Sequence, residues 1–346
     1  MTDQIKISIE GAVAILRLNR PEAINALNPE MMAAIHEKLS GWAVDDDISL
    51  VVLEGEGKRG FCAGGDVRWT RSAVLEGRAE EADGFFALEY SVNKMISTYP
   101  KPFAALTHGV VMGGGIGLAG HAKYRFTHQD SRFAMPESAI GFFCDVGVQS
   151  LLAAVPRQRA LMFMLSGDVV GAADAIALNL ADRAVAAAEF ETFRGQIIGA
   201  GNSKNAGKEL EDLISAGDNR GQEPEFCQLA DAHAASFDSE DCSEVIGRLV
   251  QDARICIKLE RIVNLIQNRC PTSMWVHLLS RETACRDPKI GAVLARDLRL
   301  AHLMVRRNDF AEGVRAVLVD KDMSPCWQPA VITEVNRDPI LTALAG

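Results

Sequence analysis

Two glycine-rich turns constrain this chain more than any other feature. Cys62-Ala-Gly-Gly-Asp66 and Gly113-Gly-Gly115 each follow a short apolar run of β character, and each opens a helical stretch. Consecutive glycines at a helix start lower helix stability by roughly 0.5–1 kcal/mol each relative to alanine. A chain that keeps them brings its backbone close to something there, either a neighbouring segment or a bound group. The first N–H groups of a helix have no partner inside it, so such a turn favours negative charge. Neither turn is followed by the Gly-Lys-Ser/Thr of a phosphate loop, and neither matches the dinucleotide fingerprint. Taken alone, the first reads as a tight connection with no ligand, and the triple glycine is the stronger sign of close packing or a bound group. Taken together, one N–H from each turn would make a two-point oxyanion hole.

The runs around these turns set the fold class. Ile5–Ile9 and Val13–Leu18, separated by Glu10-Gly11, read as a hairpin. Asn28-Pro29 opens a helix through about Leu39, with Asn28 as its N-cap and Pro29 in the first helical position. Ser49–Glu54, Pro102–Leu106 and Lys123–Thr127 read as strands. Strands alternating with helices over short connections predict an α/β region through residue 185. Residues 186–346 read as mainly amphipathic helices, such as Ser243–Leu249 and Gly291–Arg306, and Gly199–Gly207 reads as a loop.

A chain of 346 residues fits two domains or one large domain with an appendage. The net charge of −10 argues against a nucleic-acid binder, which needs a basic surface for phosphate. The eight cysteines form no CxxC pair and no zinc-type spacing with histidine, so reduced, mostly buried thiols are expected. Met1–Ile7 has no basic stretch leading into an apolar run, and no apolar run reaches the roughly 18 residues of a membrane span. A cytoplasmic enzyme is the expectation.

Two carboxylates carry the strongest chemical signal. Glu137 and Asp145 lie eight residues apart in Ser131-Arg-Phe-Ala-Met-Pro-Glu-Ser-Ala-Ile-Gly-Phe-Phe-Cys-Asp-Val-Gly147. Apolar surroundings should raise a carboxylate pKa towards the range useful for acid–base work. An isolated Pro-Glu pair, by contrast, reads as a solvated loop. His108 and His121 flank the triple glycine, and a Cys–His nucleophile with Cys62 or Cys144 is conceivable, but buried structural histidine is the better reading. Trp275 and Trp327 read as core or interface residues. Lys58-Arg59 fits either a phosphate contact or a solvated turn.

Four segments in order, Asn19-Arg-Pro21, Phe61–Asp66, Gly109–Gly115 and Phe133–Glu137, resemble the enoyl-CoA hydratase/isomerase (crotonase) superfamily. Within it, the chain is most similar to the 3-hydroxyisobutyryl-CoA hydrolases. That closer similarity rests on Glu89–Asn93 with Tyr99–Pro102, on Asp145-Val-Gly147, on Cys270-Pro-Thr-Ser273, and on Asn308–Asp322 with Ser324–Trp327. It covers roughly residues 5–335, and ordinary hydratases lack the last of these signatures.

The resemblance implies a spiral of ββα units with a helical C-terminal region. It also implies an acyl-CoA substrate whose thioester oxygen accepts from the N–H groups of Ala63 and Gly114. Gly64, Gly65, Asp66 and Gly113 would line the substrate, and Glu89 would contact its hydroxyl. The adenine end of coenzyme A would lie near Glu22, Ala23 and Ile24. Of the two glutamates that add water in typical hydratases, one falls on Glu137 and the other on Gly117. Asp145 stands where hydratases commonly carry glycine. The implied reaction is therefore hydrolysis of a short 3-hydroxyacyl-CoA, a step of valine breakdown, with Glu137 and Asp145 catalytic. No metal and no cofactor beyond the substrate's coenzyme A are implied, and the superfamily commonly assembles as trimers or pairs of trimers. Where the hydrolases usually read Phe-Pro-Asp-Val-Gly-Gly, this chain reads Phe143-Cys-Asp-Val-Gly-Val148. Non-catalytic acyl-CoA binding and enoyl-CoA hydration are the competing readings.

Overall fold

A computed structural model describes residues 3–216 and 223–346. Nine strands lie in the order β1 (Ile5–Glu10), β2 (Val13–Leu18), β3 (Leu50–Gly55), β4 (Gly60–Cys62), β5 (Phe103–Thr107), β6 (Val110–Met112), β7 (Tyr124–His128), β8 (Arg132–Ala134) and β9 (Arg183–Val185). They form a six-stranded sheet, β1-β2-β3-β5-β7-β9, and a three-stranded sheet, β4-β6-β8. The expected hairpin pairs antiparallel, while β2–β3, β3–β5, β5–β7 and β7–β9 are parallel. Along the chain the pattern β-β-helix recurs three times. β3 and β4 precede the helix Val67–Leu75, β5 and β6 precede Gly114–Gly120, and β7 and β8 precede the short turn Glu137–Ile140. In each repeat the first strand joins the large sheet and the second joins the small one. The three-residue strands β4, β6 and β8 are too short to show a period, and the sequence reading missed them.

The chain divides into two compact units. The first comprises residues 1–65, 88–133 and 170–224; the second comprises 66–87, 134–169 and 225–346. A single cut after residue 185 therefore does not follow the contacts. The helices Phe190–Gly201 and Ala206–Ser215 belong with the sheet. Phe193, Ile197 and Leu210 pack on one face of it, against the alternating residues Val13/Ile15, Leu50/Val52, Ala104/Leu106 and Tyr124/Phe126. Period-two alternation puts those strand pairs on one side.

The stretch Gly199–Gly207, expected as a loop, is a turn over residues 202–205 flanked by the end of the helix Phe190–Gly201 and the start of the helix Ala206–Ser215. A Cβ on Gly201 would fall 2.4 Å from Val13 and 2.7 Å from Leu50, so this glycine lets the helix lie close to the sheet. The expected N-cap holds, since Met31 N–H donates to the Asn28 side chain at 2.9 Å with Pro29 in first position.

The second unit is mainly helical, including Arg157–Ser166, Cys242–Ala253, Ile257–Gln267, Pro271–Arg286 and Ile290–Val305. All eight cysteines are free. Cys62, Cys144, Cys227, Cys242 and Cys270 are buried. Among the described residues, no helix is long and apolar enough to cross a membrane.

Candidate active site

The glycines of both turns lie in the first unit, where the loop Glu22–Asn25 holds one of them. Ile24 and Asn25 adopt left-handed backbone at φ 50° and 54°. Asparagine tolerates this region, whereas a β-branched residue is strained there, by about 1–2 kcal/mol. Side-chain hydrogen bonds fix the conformation. Buried Asn25 accepts from Arg20 N–H at 2.8 Å and donates to the carbonyls of Phe61 at 2.9 Å and Glu56 at 3.0 Å. The Cys62 thiol donates to Asn25 O at 3.2 Å, and Ala63 N–H donates to Ile24 O at 2.9 Å. The Ala63 N–H, expected as an oxyanion donor, is thus engaged in holding the loop.

Unlike Ala63, neither Gly65 nor Gly114 on the two turns gives its N–H to a backbone carbonyl of another turn or loop among the described residues. They lie close together, for a Cβ on Gly114 would sit 3.4 Å from Gly65 N. Ala63 N–H is committed to Ile24 O, and the neighbouring N–H groups of Gly65 and Gly114 stand side by side. Gly113 has φ 49° and ψ −122°, a conformation that favours glycine. A Cβ on Gly114 would fall 2.3 Å from Glu89 Oε1, so buried Glu89 rests its carboxylate against the glycine turn.

The cysteine–histidine nucleophile finds no support. Burial pushes the Cys62 thiol up to about 12, and His108 Nε2 pairs with Gly57 O at 2.6 Å.

Glu137 and Asp145 lie in the second unit, as does Asp66, whose carboxylate caps the helix Val67–Leu75 by accepting Trp69 N–H at 3.3 Å. Glu137 and Asp145 are both buried, which excludes the solvated-loop alternative. The turn Glu137–Ile140 is gripped by two distant segments, both from the signatures that suggested a hydrolase. Cys270 N–H donates to Ser138 O at 3.0 Å. Gly141, at φ 69°, packs so closely on the helix Asn308–Val314 that a Cβ there would meet Asp309 O at 2.3 Å. Reciprocally, a Cβ on Gly313 would meet the Ile140 carbonyl carbon at 2.4 Å. Phe142 stacks on Phe86 at 5.3 Å and touches Phe310 at 5.7 Å.

Asp145 sits just before two left-handed residues, Val146 at φ 52° and Gly147 at φ 73°. Holding valine there costs about 1–3 kcal/mol, so the surroundings must impose it. Two buried side chains do so. Gly147 N–H donates to Asp297 Oδ2 at 2.8 Å across 150 residues of chain, and Cys144 N–H donates to His277 Nε2 at 3.0 Å. Sequence reading found neither residue. Asp297 lies within the helix Ile290–Val305 and His277 within Pro271–Arg286, and no local motif marks either.

The electrostatics follow from burial. Asp297 is held well above the usual carboxylate range, by burial first and then by the charge of Asp145, with the Gly147 N–H opposing. His277 is lowered to about 3, by burial and then by the charge of Arg269, so its ring is neutral and its Nε2 is free to accept. Cys144 is raised well above an ordinary thiol by burial, with Glu137, Asp145 and Asp297 adding to the effect. Its thiol donates to Met135 O at 3.8 Å, and nothing in the structure explains cysteine where the hydrolases usually have proline.

An open cleft of about 1390 Å³ in the first unit is lined by Ile24, Lys58, Arg59, His108 and Arg132, among others. Glu54, Glu56, Asp130 and Glu191 also line it, and Arg59 donates to Glu22 O at 3.2 Å, which ties the cleft to the loop expected near adenine. The tryptophans divide. Trp275 is buried and donates to Ile332 O at 3.1 Å, whereas Trp327 is half-buried and reaches Asn268 O at 3.3 Å.

Comparison with known proteins adds a further finding. Residues 13–344 match the family model described as enoyl-CoA hydratase/isomerase. Among curated proteins, the mitochondrial 3-hydroxyisobutyryl-CoA hydrolase of Gallus gallus is 33% identical over 95% of this chain and 85% of its own length. The Homo sapiens protein of the same name is 31% identical over 98% and 87%. Among solved structures, a carnitinyl-CoA dehydratase from Mycobacterium thermoresistibile superposes with a TM-score of 0.90 at 30% identity, covering 100% of this chain and 97% of that one. An enoyl-CoA hydratase from Rhodobacter sphaeroides 2.4.1 gives 0.89 at 29%, covering 99% and 97%.

Proposed function

Because the chain belongs to the enoyl-CoA hydratase/isomerase family, we propose that it hydrolyses a short 3-hydroxyacyl-CoA thioester, with 3-hydroxyisobutyryl-CoA as the first substrate to test. The family acts on acyl-CoA, and the curated relatives named above carry the hydrolase name. One observation carries the choice of reaction. The helix Gly114–Gly120, Gly-Gly-Ile-Gly-Leu-Ala-Gly, has no ionisable side chain. Adding water to a double bond needs one group to take a proton and another to deliver one, and Gly117 supplies neither. Cleaving a thioester needs N–H donors for the carbonyl oxygen and one carboxylate to start the reaction.

In this reading Gly65 and Gly114 donate to the oxyanion, and Gly64 and Gly113 leave room for the substrate. Glu137 either attacks the carbonyl carbon, giving a mixed anhydride as the CoA thiolate leaves, or takes a proton from the attacking water. Single turnover in heavy-oxygen water separates these routes, since only the anhydride route places the label in the Glu137 carboxylate. Asp145 orients the water or the 3-hydroxyl, and Glu89 contacts that hydroxyl. Lys58 and Arg59 take coenzyme A phosphates beside Glu22, Ala23 and Ile24. A cytoplasmic location and a homotrimeric or hexameric assembly belong to this proposal, with cell fractionation and sedimentation as their tests.

Glu89 favours a second reading. Its carboxylate against Gly114 would supply the second acid that hydration requires, and the similar solved structures are named as a dehydratase and a hydratase. The deciding experiment follows free thiol with 3-hydroxyisobutyryl-CoA and loss of the conjugated-thioester absorbance with crotonyl-CoA. Thiol release with the first and little change with the second supports hydrolysis; the reverse supports hydration. Binding of both with neither change would leave an acyl-CoA-binding protein.

A further inference from the structure

The large sheet ends on a strand with an open edge. β1 is its outermost strand, and Lys6, Ile7, Ser8, Ile9 and Glu10 are all exposed. Two of them are large and apolar, Ile7 at 37% exposed and Ile9 at 50%. The strand pairs with β2 residue for residue from Ile5 to Glu10, without a bulge, and it holds no proline. Bulges and prolines close many sheet edges to other chains, and β1 has neither. The phase of its hydrogen bonds says which groups face outward. Asn19 N–H donates to Gln4 O at 2.7 Å, and Glu10 and Val13 close the turn Gly11-Ala12, where Gly11 has φ 67°. In an antiparallel pair, residues that exchange bonds alternate with residues that do not. Gln4, Lys6, Ser8 and Glu10 therefore bond to β2, and the N–H and C=O groups of Ile5, Ile7 and Ile9 point to the open edge.

The order of side chains on this edge makes it complementary to itself. An antiparallel copy centred on Ser8 sets Ile7 against the partner's Ile9 and Lys6 against the partner's Glu10, and two-fold symmetry repeats both pairs. Opposite charges facing across strands stabilise a pair, and like charges destabilise it. A slip of two residues leaves Lys6 or Glu10 facing serine, and a slip of four sets lysine against lysine or glutamate against glutamate. Within the chain, Lys6 Nζ lies 3.4 Å from Glu56 and Arg194 lies 3.2 Å from Glu10. The Lys6 and Glu10 side chains stay 55% and 45% exposed in those pairs, so each can take a second partner.

We propose that β1 is a docking edge for a second copy of this chain, paired antiparallel about a two-fold axis at Ser8 so that two large sheets become one. Backbone bonds from Ile7 and Ile9 supply the attraction, and the Lys6–Glu10 pairs fix the register. Such an axis makes a dimer of single chains, or joins two trimers into the hexamer proposed above. The pairing does not depend on the thioesterase reading.

The test oxidises the full chain carrying Ser8→Cys with copper phenanthroline and reads covalent dimer on a non-reducing gel. In the proposed register Ser8 faces its own copy as a pair without hydrogen bonds, with Cα atoms about 4.5 Å apart, inside the roughly 4.4–6.8 Å that a disulfide spans. Covalent dimer should form at least about tenfold faster than in the unsubstituted chain, whose exposed Cys285 and Cys326 set the background. With Ser8→Cys in place, Lys6→Glu and Glu10→Lys should each slow the reaction about threefold or more, and the two together should restore it. The two single reversals move the net charge in opposite directions, so a general charge effect would slow one and speed the other. That outcome overturns the proposal, as does a Ser8→Cys chain that dimerises no faster than the unsubstituted one. All three substituted residues are exposed, so the fold is not at stake in any of these chains.

Discussion

The turns around Gly65 and Gly114 and the loop around Glu137 and Asp145 are both held by hydrogen bonds and close packing, but by partners of different kinds. The glycine turns are held chiefly by nearby backbone: Ile24 O takes the Ala63 N–H, Gly64 O takes the Leu27 N–H, and Asn25 ties the loop to β4. The carboxylate loop is held by residues more than a hundred positions away, namely Cys270, His277, Asp297, Asp309 and Gly313. A wall of backbone donors can be specified by a short motif. A strained loop that carries buried charge needs partners from elsewhere in the chain to hold its N–H groups.

Predictions follow from that contrast, beginning with the largest effect. Glu137→Gln keeps the shape and removes the charge, so thiol release should fall by about 10²–10⁴ while the fold persists. A rate within threefold of wild type would remove Glu137 from the chemistry. Gly114→Ala places a methyl 2.3 Å from Glu89 Oε1 and beside the Gly65 N–H. The expected loss in kcat is about 10²–10³, with acyl-CoA affinity, measured by calorimetry, less affected.

Gly141→Ala strikes the other region through a contact that never touches substrate. The added Cβ meets Asp309 O at 2.3 Å with φ at 69°, so denaturant unfolding should show a destabilisation of about 1–3 kcal/mol. An unchanged midpoint would mean that the Asn308–Val314 helix does not grip the Glu137 turn.

The smallest effect is a slope. His277 titrates near 6.5 when unfolded and at about 3 when folded. Between those values the unfolded chain takes a proton that the folded chain refuses. Stability is therefore fully present above about pH 6.5 and falls as pH drops, by at most about 1.4 kcal/mol per unit from this group. His277→Gln can still accept the Cys144 N–H through its amide oxygen, and it should flatten that part of the pH–stability curve.

The same contrast decides what the sequence made legible. The hairpin, the Asn28 cap and the two glycine turns are local patterns, and each appears where its residues suggested. A motif gives a turn but not which of its N–H groups is already bonded, as the Ala63 N–H is to Ile24 O. Asp297 and His277 went unseen because each sits in an ordinary amphipathic or buried helix, where an ionisable residue looks like surface or core. Residues 190–215 were placed with the wrong unit because a helix pattern reveals that a face is apolar, not which sheet it covers. The C-terminal signature was noticed as resemblance, and only the Gly141–Asp309 and Gly313–Ile140 contacts give it a physical purpose.

Those paired glycine contacts also impose an order on the making of the protein. Chains are synthesised from the N-terminus, and the strands of the large sheet are complete once β9 has emerged. The turn that carries Glu137 cannot make these contacts until Gly313 has been synthesised, long after the strands of the large sheet. A nascent chain therefore has the strands of its large sheet available well before the carboxylate turn gains these anchors.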